Sequence, residues 1–174
     1  MNKTPYFYLI IVAFATLGLV SCGNNNSAEK VAVVQEAKPG VVNPLDVDSF
    51  RDLVWDYHAE PTKLVYKGSK PCVIDFYADW CKPCRVASPI MEELAAKYKD
   101  EIVFYKVNTD DEKDLAMLFK VNTIPAFLHI PLQGEPKFNY GIMPTPELTL
   151  ELFENKIREY IYGEPPDTNA FKTR

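Results

Sequence analysis

Apolar and polar positions recur along this chain with spacings that predict an alternation of strands and helices. The run Cys72–Tyr77 has the length and apolar content of a strand that is buried on both faces. Behind it, apolar residues recur four apart from Val86 to Tyr98, which predicts a helix over about 81–98. Further strands are predicted at 102–107, 126–130 and 137–140. One further helix is predicted to begin after an N-cap at Asp48 or Ser49, and two more at 112–119 and 146–162.

The order of these elements predicts a single α/β domain. The strand–helix–strand crossover requires parallel pairing, whereas the short turn at Gly134 joins the last two strands as an antiparallel hairpin. We therefore expect a mixed central sheet over residues 44–163, parallel in its first half and flanked by helices. Residues 164–174 are predicted to be a disordered tail.

The amino terminus has the pattern of a targeting signal. An apolar run from Tyr6 to Val20 follows Lys3 and is shorter than the roughly 20 residues that span a bilayer core. Leu19-Val20-Ser21-Cys22 resembles a bacterial lipobox, which implies a signal peptide over residues 1–21 and a lipid on Cys22. The alternatives are an uncleaved membrane anchor and an ordinary signal peptide with an incidental cysteine.

Residues 22–43 are rich in Asn, Ser, Ala, Val and Lys, and we interpret them as a flexible tether that starts at the lipidated Cys22. The alternative is a first strand within Val31–Val34. The amino-terminal targeting signal predicts a lipid-anchored protein on the periplasmic side of a membrane. Gly23 after the cleavage site favours the inner leaflet of the outer membrane.

Composition narrows the class of function. The net charge of −5 argues against a nucleic-acid partner, because no basic stripe is available to displace counterions from phosphates. The spacing of the four cysteines does not match that of a four-cysteine zinc site. The alternative is that Cys81 and Cys84 form half of a zinc site. We expect no metal, a buried structural role for Cys72, an exposed His58 and a strand position for His129.

The segment from Val73 to Cys84 ends in Cys81-Lys82-Pro83-Cys84 and resembles the active-site segment of thioredoxins. The likeness continues in register over about residues 45–161. The other positions that match the family are Pro89 in the first active-site helix, residues 106–110 as the central strand and its exit, Thr123-Ile124-Pro125 as the cis-proline loop, and Gly141 as the glycine beside the substrate groove.

Within that family, the chain resembles the periplasmic thioredoxin-like lipoproteins of Bacteroidetes-type bacteria. The chain is similar to them in its extended 55–70 segment and in its Gly134-Glu135-Pro136 turn. One position departs from the family pattern, since Lys82-Pro83 replaces the usual Gly-Pro between the cysteines.

The resemblance implies a thiol–disulfide oxidoreductase with Cys81 as nucleophile and Cys84 as resolving thiol. A helix that starts at Cys81 places its sulfur among unpaired N–H groups, which favour the attacking thiolate. Lys82 adds a positive charge that tunes the redox pair, and Pro83 costs little in a first helical turn. No cofactor is expected beyond the redox-active Cys81–Cys84 disulfide.

Other site residues are implied by position in the family motif. Asp75 takes up the proton of Cys84, and Lys106 pairs with this acid. Trp80, Ile124, Pro125 and Gly141 bind the substrate chain. Four of these residues have a structural alternative: an exposed edge-strand acid for Asp75, a surface lysine for Lys106, a core aromatic for Trp80 and an ordinary trans proline for Pro125.

The predicted direction of electron flow is reduction or exchange of protein disulfides. One lysine is worth on the order of 30 mV, whereas thioredoxin and the strong periplasmic oxidants differ by about 150 mV. The expected partners are disulfide-bearing client proteins and an unknown electron-donor protein, and the chain is expected to be a monomer. The alternatives are a dedicated reductant for cytochrome c maturation and a binding or chaperone lipoprotein on the same fold.

Overall fold

The computed structural model describes residues 36–166, and within them lie five strands and four helices. In chain order these are β1 (Val42–Pro44), α1 (Val47–Leu53), β2 (Cys72–Tyr77), α2 (Lys82–Lys97), β3 (Val103–Asn108), α3 (Lys113–Leu118), β4 (Ala126–Ile130), β5 (Lys137–Tyr140) and α4 (Pro146–Tyr160). The predicted signal peptide, Cys22, the strand considered at Val31–Val34 and residues 167–174 lie outside the described residues.

The strands form one mixed sheet in the order β1-β3-β2-β4-β5. β3 pairs in parallel with both β1 and β2, because helices cross over between them. β4 runs antiparallel to β2 and β5 antiparallel to β4. The predicted fold class, with a parallel first half and a final hairpin, is confirmed.

Alternation along the strands divides the core between the two faces of the sheet. Ile74 and Phe76 pack on the face that α1 and α3 cover, through Phe50 and Leu115. Val73 and its neighbours pack on the other face against α2 and α4, and this second cluster also includes Phe104, Leu94, Phe127 and Phe153. Asp75 shares the face of Val73.

The sheet begins earlier than the sequence pattern indicated. Residues 42–43 belong to β1, and the buried Asn43 side chain bonds to the main chain of Lys38 in both directions, at 2.8 and 3.0 Å. The N–H of Val42 donates to Glu92 on α2 at 3.1 Å. The tether predicted over residues 22–43 is therefore wrong at its carboxyl end, since residues 42–43 belong to the sheet.

Two helix details also differ from the expectation. Asp46, rather than Asp48 or Ser49, caps α1 by accepting the N–H of Ser49 at 2.8 Å. In α2 the apolar position Val86 is 37% exposed, and the buried face runs instead through Ala87, Ile90, Met91, Leu94 and Ala95. Among the helices of residues 36–166, none combines the length and hydropathy that a bilayer crossing requires.

Candidate functional site

The two motif cysteines are joined in a disulfide where β2 leads into α2. Their sulfurs are 2.03 Å apart and their α-carbons 5.3 Å apart. Cys81 is the N-cap of α2, so its sulfur lies among N–H groups that have no partner within the helix. The N–H of Cys84 donates to Cys81 Sγ at 3.2 Å. This geometry stabilises negative charge on Cys81 Sγ when the disulfide is opened.

Both sulfurs lie in a small apolar cluster. Cys81 is 3% exposed and Cys84 1%, and they pack with Ala78, Tyr77 and Ile124. A disulfide partner must therefore press closely against this surface, and Cys81 keeps the larger exposed fraction of the two.

Trp80, which directly precedes Cys81, is an exposed aromatic side chain. Its exposed fraction is 67%, and its indole N–H donates to Asp110 Oδ2 at 2.9 Å. Asp110 follows β3, whose carboxyl end lies at the same edge of the sheet as the end of β2. The predicted packing of Trp80 over the disulfide stays a prediction.

Asp75 is a buried carboxyl group on β2, 3% exposed, as the apolar run around it predicted. Burial raises its pKa from 3.8 to about 7, and the charge of Lys106 acts in the opposite direction. Lys106 is the residue paired with Asp75 in the register of β2 and β3. A carboxyl group with this pKa can accept or release a proton near neutrality.

The loop before β4 packs against the cysteines. The Ile124–Pro125 peptide bond is cis, and Ile124 contacts the cysteine cluster. Gly141 lies against the same loop and donates its N–H to the carbonyl of Pro125 at 2.9 Å. Gly141 has a φ of +72°, a conformation that favours glycine, and no atom lies within 4 Å of where a Cβ would be. An extended chain can therefore approach closely here.

Cationic side chains surround the first turn of α2. Lys82 and Pro83 occupy its first positions and are exposed, and the turn contains no acidic residue. Arg85, one turn further, donates to the carbonyl of Asp79 at 3.3 Å and so ties the helix to the loop that precedes Cys81. The sequence pattern did not single out Arg85, although its place four residues after Cys81 on the same helix face was a usable signal.

Three residues outside this site were also assigned from sequence. Cys72 is fully buried on the sheet face opposite to Asp75, as predicted, and burial raises its pKa to about 12. His58 is exposed, and His129 lies buried in β4 with its Nε2 2.7 Å from Asn139 Oδ1. Across residues 36–166, no three His, Cys, Asp or Glu side chains are grouped to hold a metal ion.

Fold and site together define a class of protein: a thiol–disulfide exchange domain with its redox pair at the start of the first long helix. The thioredoxin family model matches residues 52–157. A thioredoxin of Borreliella burgdorferi is 39% identical over 116 residues, which are 67% of this chain and 94% of that protein. The chain belongs to the thioredoxin family and is a disulfide oxidoreductase.

Two further comparisons agree with this assignment. The chloroplastic thioredoxin M2 of Arabidopsis thaliana is 36% identical over 122 residues, which are 70% of this chain and 60% of that protein. The solved structure of Malassezia sympodialis thioredoxin matches with a TM-score of 0.53 and 25% identity. That match covers 70% of this chain and 93% of the other.

Proposed function

We propose that this protein is a periplasmic thioredoxin that reduces or exchanges disulfide bonds in client proteins. The observation that carries the proposal is the Cys81–Cys84 disulfide at the start of α2, with the N–H of Cys84 directed at Cys81 Sγ. A helix start of this kind favours a thiolate nucleophile. Family membership supports the chemistry, and the amino-terminal sequence supports the location.

The reaction proceeds by two exchanges of sulfur partners. The Cys81 thiolate attacks one sulfur of a client disulfide, forms a mixed disulfide and releases the other client sulfur as a thiolate. Cys84 then gives its proton to the Asp75 carboxylate, and the resulting thiolate attacks Cys81 Sγ. The second client sulfur leaves as a thiolate and the Cys81–Cys84 disulfide forms, so two electrons have passed to the client.

The client chain binds over the cis-proline loop. Ile124 contacts the cysteine cluster, Pro125 follows it through the cis peptide bond, and Gly141, which donates its N–H to the Pro125 carbonyl, provides a surface without a side chain. An extended client segment adds along this loop through main-chain hydrogen bonds. The exposed ring of Trp80 covers apolar client side chains on the other side of the disulfide.

The location depends on residues outside the described part of the chain. We propose that residues 1–21 are removed, that Cys22 carries the lipid, and that the domain stands on the periplasmic side, with the inner leaflet of the outer membrane favoured. Support comes from the apolar run that ends at the lipobox-like Leu19–Cys22 segment. A Cys22→Ala variant expressed in its host should move from the detergent phase to the aqueous phase on Triton X-114 partition, and unchanged partition contradicts the anchor.

The direction of electron flow is tested by insulin reduction and by redox titration. With excess dithiothreitol, the protein should precipitate insulin faster than the Cys81→Ser variant does, and equal rates would favour a binding or chaperone module. Equilibration with glutathione buffers should give a potential on the reducing side of the periplasmic oxidants, within about 50 mV of the thioredoxin value near −270 mV. A value near the oxidant end, about −120 mV, contradicts a reductant.

A further inference from the structure

A groove of about 670 Å³ lies at the end of the sheet opposite to the redox pair. Pro71 lines it just before β2 begins, whereas Cys81 follows the end of that strand, so the six residues of β2 place about 20 Å between the groove and the cysteines. One wall is the β4–β5 turn from Pro131 to Glu135, and the other is the carboxyl end of α4 with Tyr160–Gly163. The proposed function leaves this groove without a role.

Apolar side chains are exposed on both walls of the groove. Leu132 on the turn is 55% exposed, and Tyr162 after α4 is 44% exposed. The ring of Tyr160 lies under the ammonium group of Lys137, whose Nζ is 5.1 Å from the ring centroid. Because Leu132 and Tyr162 line one groove instead of lying singly on the surface, they form a place where another apolar group can be buried.

The charged residues that line the groove are mainly acidic. They are Glu101, Glu135, Glu159 and Lys137. Glu159 is paired with Lys156 at 2.8 Å, whereas Glu101 and Glu135 form no ion pair with any residue of the range 36–166. The groove therefore favours an occupant that brings positive charge beside an apolar side chain.

The chain itself continues from this groove with a segment of that chemistry. Gly163 lines the groove, and Phe171-Lys172-Thr173-Arg174 follows it after seven residues. An extended chain of eight residues reaches about 28 Å, so this segment can return to the groove. Residues 164–174 are predicted to lack a core of their own, and a segment of that kind can order when it binds. So short a tether gives an effective concentration on the order of millimolar, which populates even a weak contact.

We propose that the groove binds residues 171–174 of the same chain, with the Phe171 ring between Leu132 and Tyr162 and with Lys172 and Arg174 near Glu101 and Glu135. The ring leaves water for an apolar surface, and the two cations meet carboxylates that have no ion pair. The contact ties the end of α4 to the β4–β5 turn. It is independent of disulfide exchange, which takes place at the other end of the sheet.

The first test is the amide NMR spectrum of the protein from residue 22 onward with Cys22→Ala, which retains the whole domain of residues 36–166. Phe171→Ser should shift the amide signals of Leu132, Gly134 and Gly163 and leave that of Cys84 unchanged. Asn169→Ser alters the same segment without removing a ring or a charge, so this matched control should leave the groove signals in place.

Two results of this comparison overturn the inference. One is a Phe171→Ser spectrum whose groove signals coincide with those of the parent protein. The other is a set of groove signals in the parent that moves over about a tenfold range of protein concentration, because the occupant is then a second copy of the chain.

The second test adds a synthetic peptide of residues 167–174 in trans. It should bind the Phe171→Ser protein saturably with a Kd on the order of 1 mM, and it should bind the parent at least about twofold more weakly, because the groove is then occupied. In the Phe171→Ser background, Glu135→Lys should make a Lys172→Glu peptide bind more tightly than the unaltered peptide. Equal binding to parent and Phe171→Ser, or no reversal of preference with Glu135→Lys, overturns the inference.

Discussion

Replacing Asp75 with asparagine tests whether burial of this carboxyl group destabilises the folded protein at a pH where the group would ionise in water. Its pKa of about 7 compares with an ordinary value of 3.8, and each tenfold change in acidity is worth about 1.36 kcal/mol. Between these two values the folded state holds a proton that the unfolded state has lost, so the free energy of unfolding falls as pH rises. The fall attributable to Asp75 is about 4 kcal/mol and is complete above about pH 7.

The assay is urea denaturation of the oxidised protein and of Asp75→Asn at several pH values from about 3.5 to about 8.5. The difference between the two free energies of unfolding cancels the contribution of every other group, and it should move by about 4 kcal/mol in favour of the variant as pH rises. A flat difference for Asp75→Asn would refute the reasoning.

Three further predictions rest on single contacts. Burial lowers the pKa of His129 to about 4, so protonation of the unfolded state should cost the wild type about 3 kcal/mol of stability as pH falls from about 6.5 to 4, and His129→Gln should lack this loss in urea denaturation. Asp110→Ala removes the acceptor of the exposed Trp80 N–H; fluorescence anisotropy of Trp80 should drop while stability changes by no more than about 1 kcal/mol. In the oxidised Cys22→Ala variant, Cys72 should resist iodoacetamide until urea unfolds the protein, and labelling of the folded protein would contradict its burial.

The elements that the sequence predicted are those with a long or strongly apolar pattern. β2 consists of six residues from Cys72 to Tyr77, and five of them are buried. A short, mostly apolar run of this kind is typical of a strand that is covered on both faces. β1 was missed because it has three residues and its partners, from Phe104 to Lys106, lie sixty residues further along the chain. Short strands of this kind depend on the sheet that receives them.

The site likewise combines features that the local sequence predicts with contacts that only the folded chain brings together. The chemistry of Cys81 and Cys84 follows from a local motif, and the burial of Asp75 follows from its apolar neighbours in β2. The bond from Trp80 to Asp110 joins residues thirty positions apart, and only the parallel pairing of β2 and β3 brings them together. The low exposure of Cys81 does not follow from the motif, because Ile124, which packs against the cysteines, comes from a distant loop.

The different roles of the two cysteines are tested most directly by mass spectrometry after reaction with a disulfide-bearing peptide. Cys84→Ser should accumulate a peptide adduct whose fragments place the mixed disulfide on Cys81, because no second thiolate is available to resolve it. Cys81→Ser, treated in the same way, should remain free of adduct. Adduct formation on Cys84 in the Cys81→Ser variant, at a rate equal to that of Cys81 in its counterpart, would contradict the account.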